Sequence, residues 1–311
     1  MKRKLIGALP RAAVWLIVFC QAFTAYSQVI KVDSLSNWKK SFRMGMNLNQ
    51  ASFSGNWKAG GVTSLGFNAL LNFKANYKKD KISWDNEIDL LYGMVNNQGQ
   101  GYRKTLDRIF LDTKIGYGFK PKWDWFLAVN VLSQFAAGYK YEKDANGVEQ
   151  PLLISDAFAP TFITISTGAE YHPTDYFKVR FSPLAPRVTI LSNNDGRFAA
   201  VDPLKPYGVD VGSDTRYEWY AAQILAEFNK DIATNMNLKW RYIMFANYQD
   251  LEWKRVDHRF DLNLVAKVNK YVNVSLGGIF LYDYDQDAGP QYSEALSLGF
   301  LYSFQNFEEK K

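Results

Sequence analysis

The sequence predicts an all-β fold: a single transmembrane antiparallel up-and-down β-barrel of about twelve strands, with short periplasmic turns and longer external loops. Three observations predict it. Apolar and polar residues alternate over about twelve separate runs, and strand side chains alternate faces, so each run is greasy on one side only. Most runs hold ten or more residues; ordinary strands hold about five or six, and a tilted membrane strand needs about 9–11. The connections alternate between short polar turns and longer segments, the habit of outer-membrane barrels.

The chain opens on Lys2, Arg3, Lys4 and Arg11, followed by an apolar run over 12–19 and the small residues Ala25 and Ser27. That pattern reads as a secretory signal peptide over 1–27, cleaved after Ser27. The apolar run is too short for a membrane anchor, which needs about 20 residues. Cys20 is the only cysteine and follows Phe19, where a lipoprotein signal needs a small residue. The mature chain then has no thiol, which excludes disulfides and a cysteine zinc site. Removing four basic and no acidic residues lowers the net charge from +6 to about +2, so charge gives nucleic-acid binding no support.

Residues 28–39 are expected to form a short periplasmic lead, and 40–311 the barrel. The cleanest alternation is 64–77, where Leu65, Phe67, Ala69, Leu71, Phe73, Ala75 and Tyr77 face one way. Similar runs cover 108–119, 235–248, 259–269 and 295–304. Weaker ones cover 42–50, 82–94, 123–135, 161–171, 176–190, 217–228 and 272–280. Short turns fall at 78–81, 120–122, 172–175, 229–231 and 269–270. Longer segments fall at 52–61, 96–104, 140–160, 183–216 and 283–291, and only 249–251 breaks the alternation. Both termini are thereby expected on the periplasmic side of an outer membrane. Aromatics make up 16% of the chain, and Tyr77, Trp84, Tyr117, Trp123, Trp125, Trp219 and Trp253 near strand ends suit two interfacial girdles.

The polar strand face is expected to line the lumen. It carries Arg43, Lys74, Asp85, Glu87, Asp89, Arg108, Asp112, Lys114, Glu170, Lys178, Arg180, Glu227, Lys239, Arg241, Arg259, Asp261 and Lys267. Charges of both signs in such balance line a polar path or ligand cavity, or else neutralise one another as a salt-bridge network, because buried charges must pair. The 183–216 segment contains the turn-forming pairs Asp195-Gly196, Asp202-Pro203 and Lys205-Pro206. It either constricts the lumen as a lid or stands in solvent.

An inventory of reactive groups leaves little for catalysis, and no enzymatic activity, cofactor or metal is expected. His172 and His258 are the only histidines and are predicted at opposite ends of the barrel. A serine–histidine pair would have to join His258 to Ser275 or Ser293, and no flanking motif supports either. Asp283, Asp285 and Asp287 alternate as calcium ligands can, or simply form an acidic turn.

Asn47-Leu48-Asn49-Gln50 is followed by Asn56-Trp57 with Gly60-Gly61 in the first external loop, and then in order by Ser182-Pro183-Leu184, Val188-Thr189-Ile190 and Tyr207-Gly208-Val209-Asp210. On these motifs the exported part resembles a family of Bacteroidota outer-membrane barrels catalogued as domain of unknown function 3078. The family has no assigned activity, so the resemblance implies fold and localisation alone. Ser297, Gly299, Tyr302 and Phe304 resemble the carboxyl-terminal insertion signal of outer-membrane barrels, with the departure that the chain continues to Lys311. That implies barrel-assembly machinery as a partner during insertion, alongside outer-membrane lipid and a small solute or lipid-like ligand. The expected role is a channel or transporter for such a ligand. Its rivals are a non-conducting anchor or assembly protein and, more remotely, a barrel-embedded hydrolase. No motif sets an oligomeric state.

Overall fold

Alternating sequences of this length can only satisfy their backbones by pairing with neighbours, and in a hydrocarbon solvent the last strand must pair with the first. The computed structural model describes residues 37–54, 62–269 and 272–306 and is built that way. The strands are β1 (Trp38–Ala51), β2 (Ser64–Lys79), β3 (Ile82–Asn97), β4 (Gly101–Lys120), β5 (Trp123–Ser133), β6 (Gly138–Lys143), β7 (Glu149–Ser155) and β8 (Thr161–Thr174). They continue as β9 (Phe177–Leu184), β10 (Arg187–Ile190), β11 (Thr215–Glu218), β12 (Ala221–Ala233), β13 (Met236–Asn247), β14 (Asp257–Lys267), β15 (Val272–Asp283) and β16 (Asp287–Gln305). Each pairs antiparallel with its neighbours, and β1 closes the ring on β16 through Ser41↔Gln305 to Leu48↔Leu298. With β8 paired to β9, twelve strands form the ring: β1 to β5, β8, β9 and β12 to β16.

The wall is inside-out relative to a soluble protein. In β4, Leu111, Ile115 and Tyr117 are exposed, while Asp112 and Lys114 between them are buried. Met44, Met46 and Leu48 of β1 and Leu296, Leu298 and Phe300 of β16 are likewise exposed. Water would penalise such a surface; lipid does not, and this fold is a membrane-spanning barrel. Aromatic pairs mark strand ends: Trp38 with Tyr77 and Trp84, Phe119 with Trp125 and Trp123 with Tyr171 near the termini, and stacked Tyr217 and Trp219 at the opposite mouth.

The structure corrects several expected boundaries. β1 begins at Trp38, inside the expected lead. The expected loop at 96–104 is a turn at 98–100, because β3 and β4 run on as a hairpin, and 283–291 shrinks to 284–286 for the same reason. The 140–160 segment holds the hairpin β6–β7 rather than irregular chain. Residues 183–216 are irregular only over 191–214, since β10 and β11 pair with each other. Residues 1–27 and the motif residues Asn56, Trp57, Gly60 and Gly61 lie outside the described residues.

β9 with β10, and β11 with β12, are two continuous wall strands with a shared kink. The register of β9 against β12 (Ser182↔Gln223) continues in β10 against β11 (Arg187↔Glu218). At the kink Ala185 donates its N–H to the Ala221 carbonyl (2.8 Å) and Ile165 to that of Pro186 (3.0 Å). Gly168 lies opposite, where an added Cβ would meet the Phe181 carbonyl, so only glycine lets β8 approach β9 here. The kink changes which residues face inward: Lys178, Arg180 and Ser182 below it, Arg187 and Thr189 above it.

Candidate functional site

The lumen contains two zones. The zone nearer the termini is a belt of ion pairs. Arg180 is fork-paired to Asp112 (3.0 and 2.8 Å) and bonded to Glu170 (3.0 Å), which also holds Lys114 (2.5 Å). Lys114 reaches Asp85 as well (3.0 Å). Arg241 joins Glu87 (2.5 Å) to Glu227 (2.6 Å), and Lys178 caps Glu227 (2.8 Å). Lys239 links Glu87 (3.0 Å) to Asp89 (3.2 Å), with Lys74 at 3.5 Å from Glu87. Arg108 pairs with Asp89 and with Asp261 (2.9 Å), and Arg259 completes that carboxylate (3.0 Å).

Four of these links cross the lumen, those of Arg241 and Lys239 to Glu87, of Lys239 to Asp89 and of Arg108 to Asp261. β3 and β13 stand six strands apart in either direction round the ring, as do β4 and β14. Arg241–Glu87 and Arg108–Asp261 therefore tie opposite walls together. Arg180 and Lys114, 2% and 1% exposed at their side chains, are charges that only such pairing makes tolerable at this depth. Among the described residues, the lumen at this level is spanned by side chains.

Of the residues expected to line the lumen, all but two meet in this belt. Arg43 is half-buried and Lys267 is exposed at the end of β14, and neither joins it. Ser297 and Gly299 face inward, Ser297 accepting a long bond from Asn68 (3.5 Å) and Gly299 lying against Asn47. Tyr302 faces outward.

The zone nearer the long loops is a cavity of about 170 Å³ under a folded lid. Residues 191–214 fold around a small apolar core of Leu191, Phe198, Tyr207 and Val209, packed on Ala159 and Leu153 of the preceding loop. Asn194 is the internal tie: its amide donates to the carbonyls of Val209, Asp210 and Ser213 (3.3, 3.1 and 3.2 Å). Arg197 pins the lid to Asp156 (2.8 Å), and the Tyr207 hydroxyl donates to the Ile154 carbonyl (2.7 Å). Burial pushes the Tyr207 phenol above its ordinary value, so it stays a donor. Gly208 has φ +73°, and its Cβ position is taken by the Arg216 guanidinium.

Tyr207 roofs the cavity together with Arg187. Arg187 donates to Asp257 (2.9 Å) and sits over Phe245, its Cζ 3.2 Å from the ring centre. The sequence reading missed Arg187, Tyr207, Phe245 and Asp257 as site residues. The signal for Arg187 was hidden by the kink: uninterrupted alternation from Lys178 and Arg180 puts residue 187 on the lipid face. Pro183 and Pro186 were the available warning, because proline disrupts strand pairing.

The other candidates do not assemble. His258 bonds Tyr242 (2.7 Å) in the outward row of β14, whereas Ser275 and Ser293 pair in the inward rows with Val265 and with Ile279. His172, at the terminus end, lies 3.2 Å from Asp124. Asp283 points inward to Gln286, and among the described residues no group of three potential metal ligands occurs.

A family described as "Protein of unknown function (DUF3078)" matches residues 48–139. No curated protein matches the chain. Among solved structures, the chain is similar to an outer membrane channel from Pseudomonas putida F1 (12% identity, 86% of this chain and 94% of that one, TM-score 0.35). It is also similar to the NanC porin (8% identity, 86% and 100%, TM-score 0.36). A third similarity is to the translocator domain of the autotransporter NalP from Neisseria meningitidis (10% identity, 94% and 97%, TM-score 0.32).

Proposed function

We propose that this protein is an outer-membrane barrel acting as a gated channel or transporter for a small polar solute, with both termini in the periplasm. The solute enters under the 191–214 lid, rests in the cavity, and passes when the ion-pair belt rearranges. The observation that carries this reading is the cavity of about 170 Å³ held between lid and belt. A barrel that only anchored loops would gain more from filling that space with packed side chains. In this reading the belt holds the resting state closed. Insertion through barrel-assembly machinery, with Ser297, Gly299, Tyr302 and Phe304 as the signal, belongs to the same proposal.

Planar-bilayer recording tests it. The wild-type protein is expected to be nearly silent, and Arg241→Gln combined with Lys239→Gln to conduct steadily. Silence from both, with no solute entry into liposomes, would reject passage.

A second reading rests on the links between opposite walls, Arg241–Glu87 and Arg108–Asp261. They suit a permanently sealed barrel whose loops bind other proteins. That reading expects stoichiometric partners in affinity isolation from outer membranes and no conductance from any belt variant.

A further inference from the structure

The belt and the cavity differ in how completely their charges are matched, and the mismatch in the cavity has a defined chemistry. Arg187 uses one Nη to reach Asp257, yet its Nε is buried with no hydrogen-bond partner. A buried guanidinium donor without an acceptor is costly; the Nε atoms of Arg103, Arg108 and Arg197 share this state, and of these only Arg108 also borders the cavity. Facing the same cavity, Asp283 is 7% exposed and accepts from Gln286 (2.6 Å) and from the Asp285 N–H (3.0 Å). Among the described residues it has no cationic partner at ion-pair distance. One wall thus lacks an acceptor and another lacks a cation. Phe110, Phe162 and Phe245 line the same cavity.

A simple anion placed here would satisfy Arg187 but meet the carboxylates of Asp257 and Asp283. A simple cation would satisfy Asp283 but meet Arg187, which sits between Phe245 and Phe162 with centroid distances of 3.2 and 5.6 Å. A ligand carrying both charges gives Arg187 an acceptor and Asp283 a cation without changing the net charge of the site. The volume limits its size: about 170 Å³ slightly exceeds the roughly 150 Å³ cavity that accepts a benzene ring.

We propose that the cavity binds a free amino acid with an apolar side chain, its carboxylate on Arg187, its ammonium on Asp283 with Asp257 beside it, and its side chain against Phe110, Phe162 and Phe245. This rests on the reading of the cavity as the solute's resting place. Arg187 and Asp283 are binding residues in it, and the Arg187–Asp257 pair opens on one side to receive the carboxylate fork.

The test is isothermal titration of L-phenylalanine into the full mature protein in detergent micelles. Two probes of the same bulk, 3-phenylpropionate and 2-phenylethylamine, carry only one of the two charges. Saturable binding of phenylalanine is expected, with each single-charge probe weaker by at least about tenfold, since each forfeits a charge-assisted contact. Arg187→Gln and Asp283→Asn should each lose a similar factor while keeping the heat-modifiable electrophoretic shift of a folded barrel. If Arg187→Gln does not fold, Arg187→Lys keeps the charge but not the fork, and weaker binding is again expected. Phenylpropionate binding as tightly as phenylalanine, or no binding of phenylalanine at millimolar concentration, would overturn the proposal. Liposome uptake separates the two proposals. Binding without uptake leaves the ligand class standing and removes passage. Uptake of other solutes without phenylalanine binding does the reverse.

Discussion

The two halves of the lumen share strands β4, β8 and β12 to β14, with Arg108 and Arg259 at their boundary, yet they are organised in opposite ways. In the belt each carboxylate has at least one cation within 3.5 Å, and Glu87 gathers Arg241, Lys239 and Lys74. In the mouth, space is left between aromatic walls, Arg187 keeps a spare donor as Arg108 does at the boundary, and Asp283 has neutral partners where each belt carboxylate has a cation. Saturated pairing makes a rigid strut, because breaking one member strands the others in a buried place. Unsaturated groups beside a void are what a ligand needs. The comparison separates a part that holds the barrel shut from a part that is built to receive.

Its sharpest break is Arg241→Ala. Removing this cation leaves Glu87 and Glu227 facing each other and should destabilise the folded barrel by about 3–5 kcal/mol, read by denaturant unfolding in lipid vesicles. Replacing Arg259 and Asp261 together by Met and Leu should cost far less than Asp261→Leu alone, because Arg108 keeps Asp89 and no charge is left alone. If the single and double variants are equally unstable, the belt is not a strut.

Next in size is a change that spares both halves of the lumen. Leu298→Lys places a charge on the exposed lipid face of β16 and should cost about 2–4 kcal/mol and block assembly, seen as loss of the heat-modifiable band. Normal insertion would mean the outward row has been assigned to the wrong face. Arg187→Gln in the mouth should cost about 1.5–3 kcal/mol, the range for a hydrogen bond to a charged group, and leave resting conductance unchanged. A conductance like that of a belt variant would erase the distinction between strut and receptor. The smallest change is Tyr207→Phe, which removes the bond to the Ile154 carbonyl at about 0.5–1.5 kcal/mol. Its expected sign is faster proteolysis within 191–214 with the barrel intact.

Legibility in the sequence followed locality. Leu65 to Tyr77 announced a strand with one apolar face because strand periodicity is a property of neighbours. Glu87, Lys114 and Arg241 were recognisable as lumen residues for the same reason. Arg187 and Glu218 were not, because a kink shared by two strands swaps the inward row at Ala185–Pro186 and at Trp219–Tyr220. Read one strand at a time, that swap looks like an ordinary end of alternation. The 191–214 lid was visible only as turn-forming pairs, since its fold depends on contacts such as Tyr207 with Ile154, 53 residues away.

The sequence by itself determined the wall: the number of strands, the face each turns to lipid, and the balance of charge sent inward. These follow from alternation, run length and composition, which are written in adjacent residues. Which charge meets which was decided only when the ring closed. Arg241 and Glu87 are 154 positions apart and come together because β13 and β3 end up on opposite walls of one barrel. The belt and the unmatched groups above it exist only in that closed geometry, where pairing energy depends on distance across the lumen rather than along the chain.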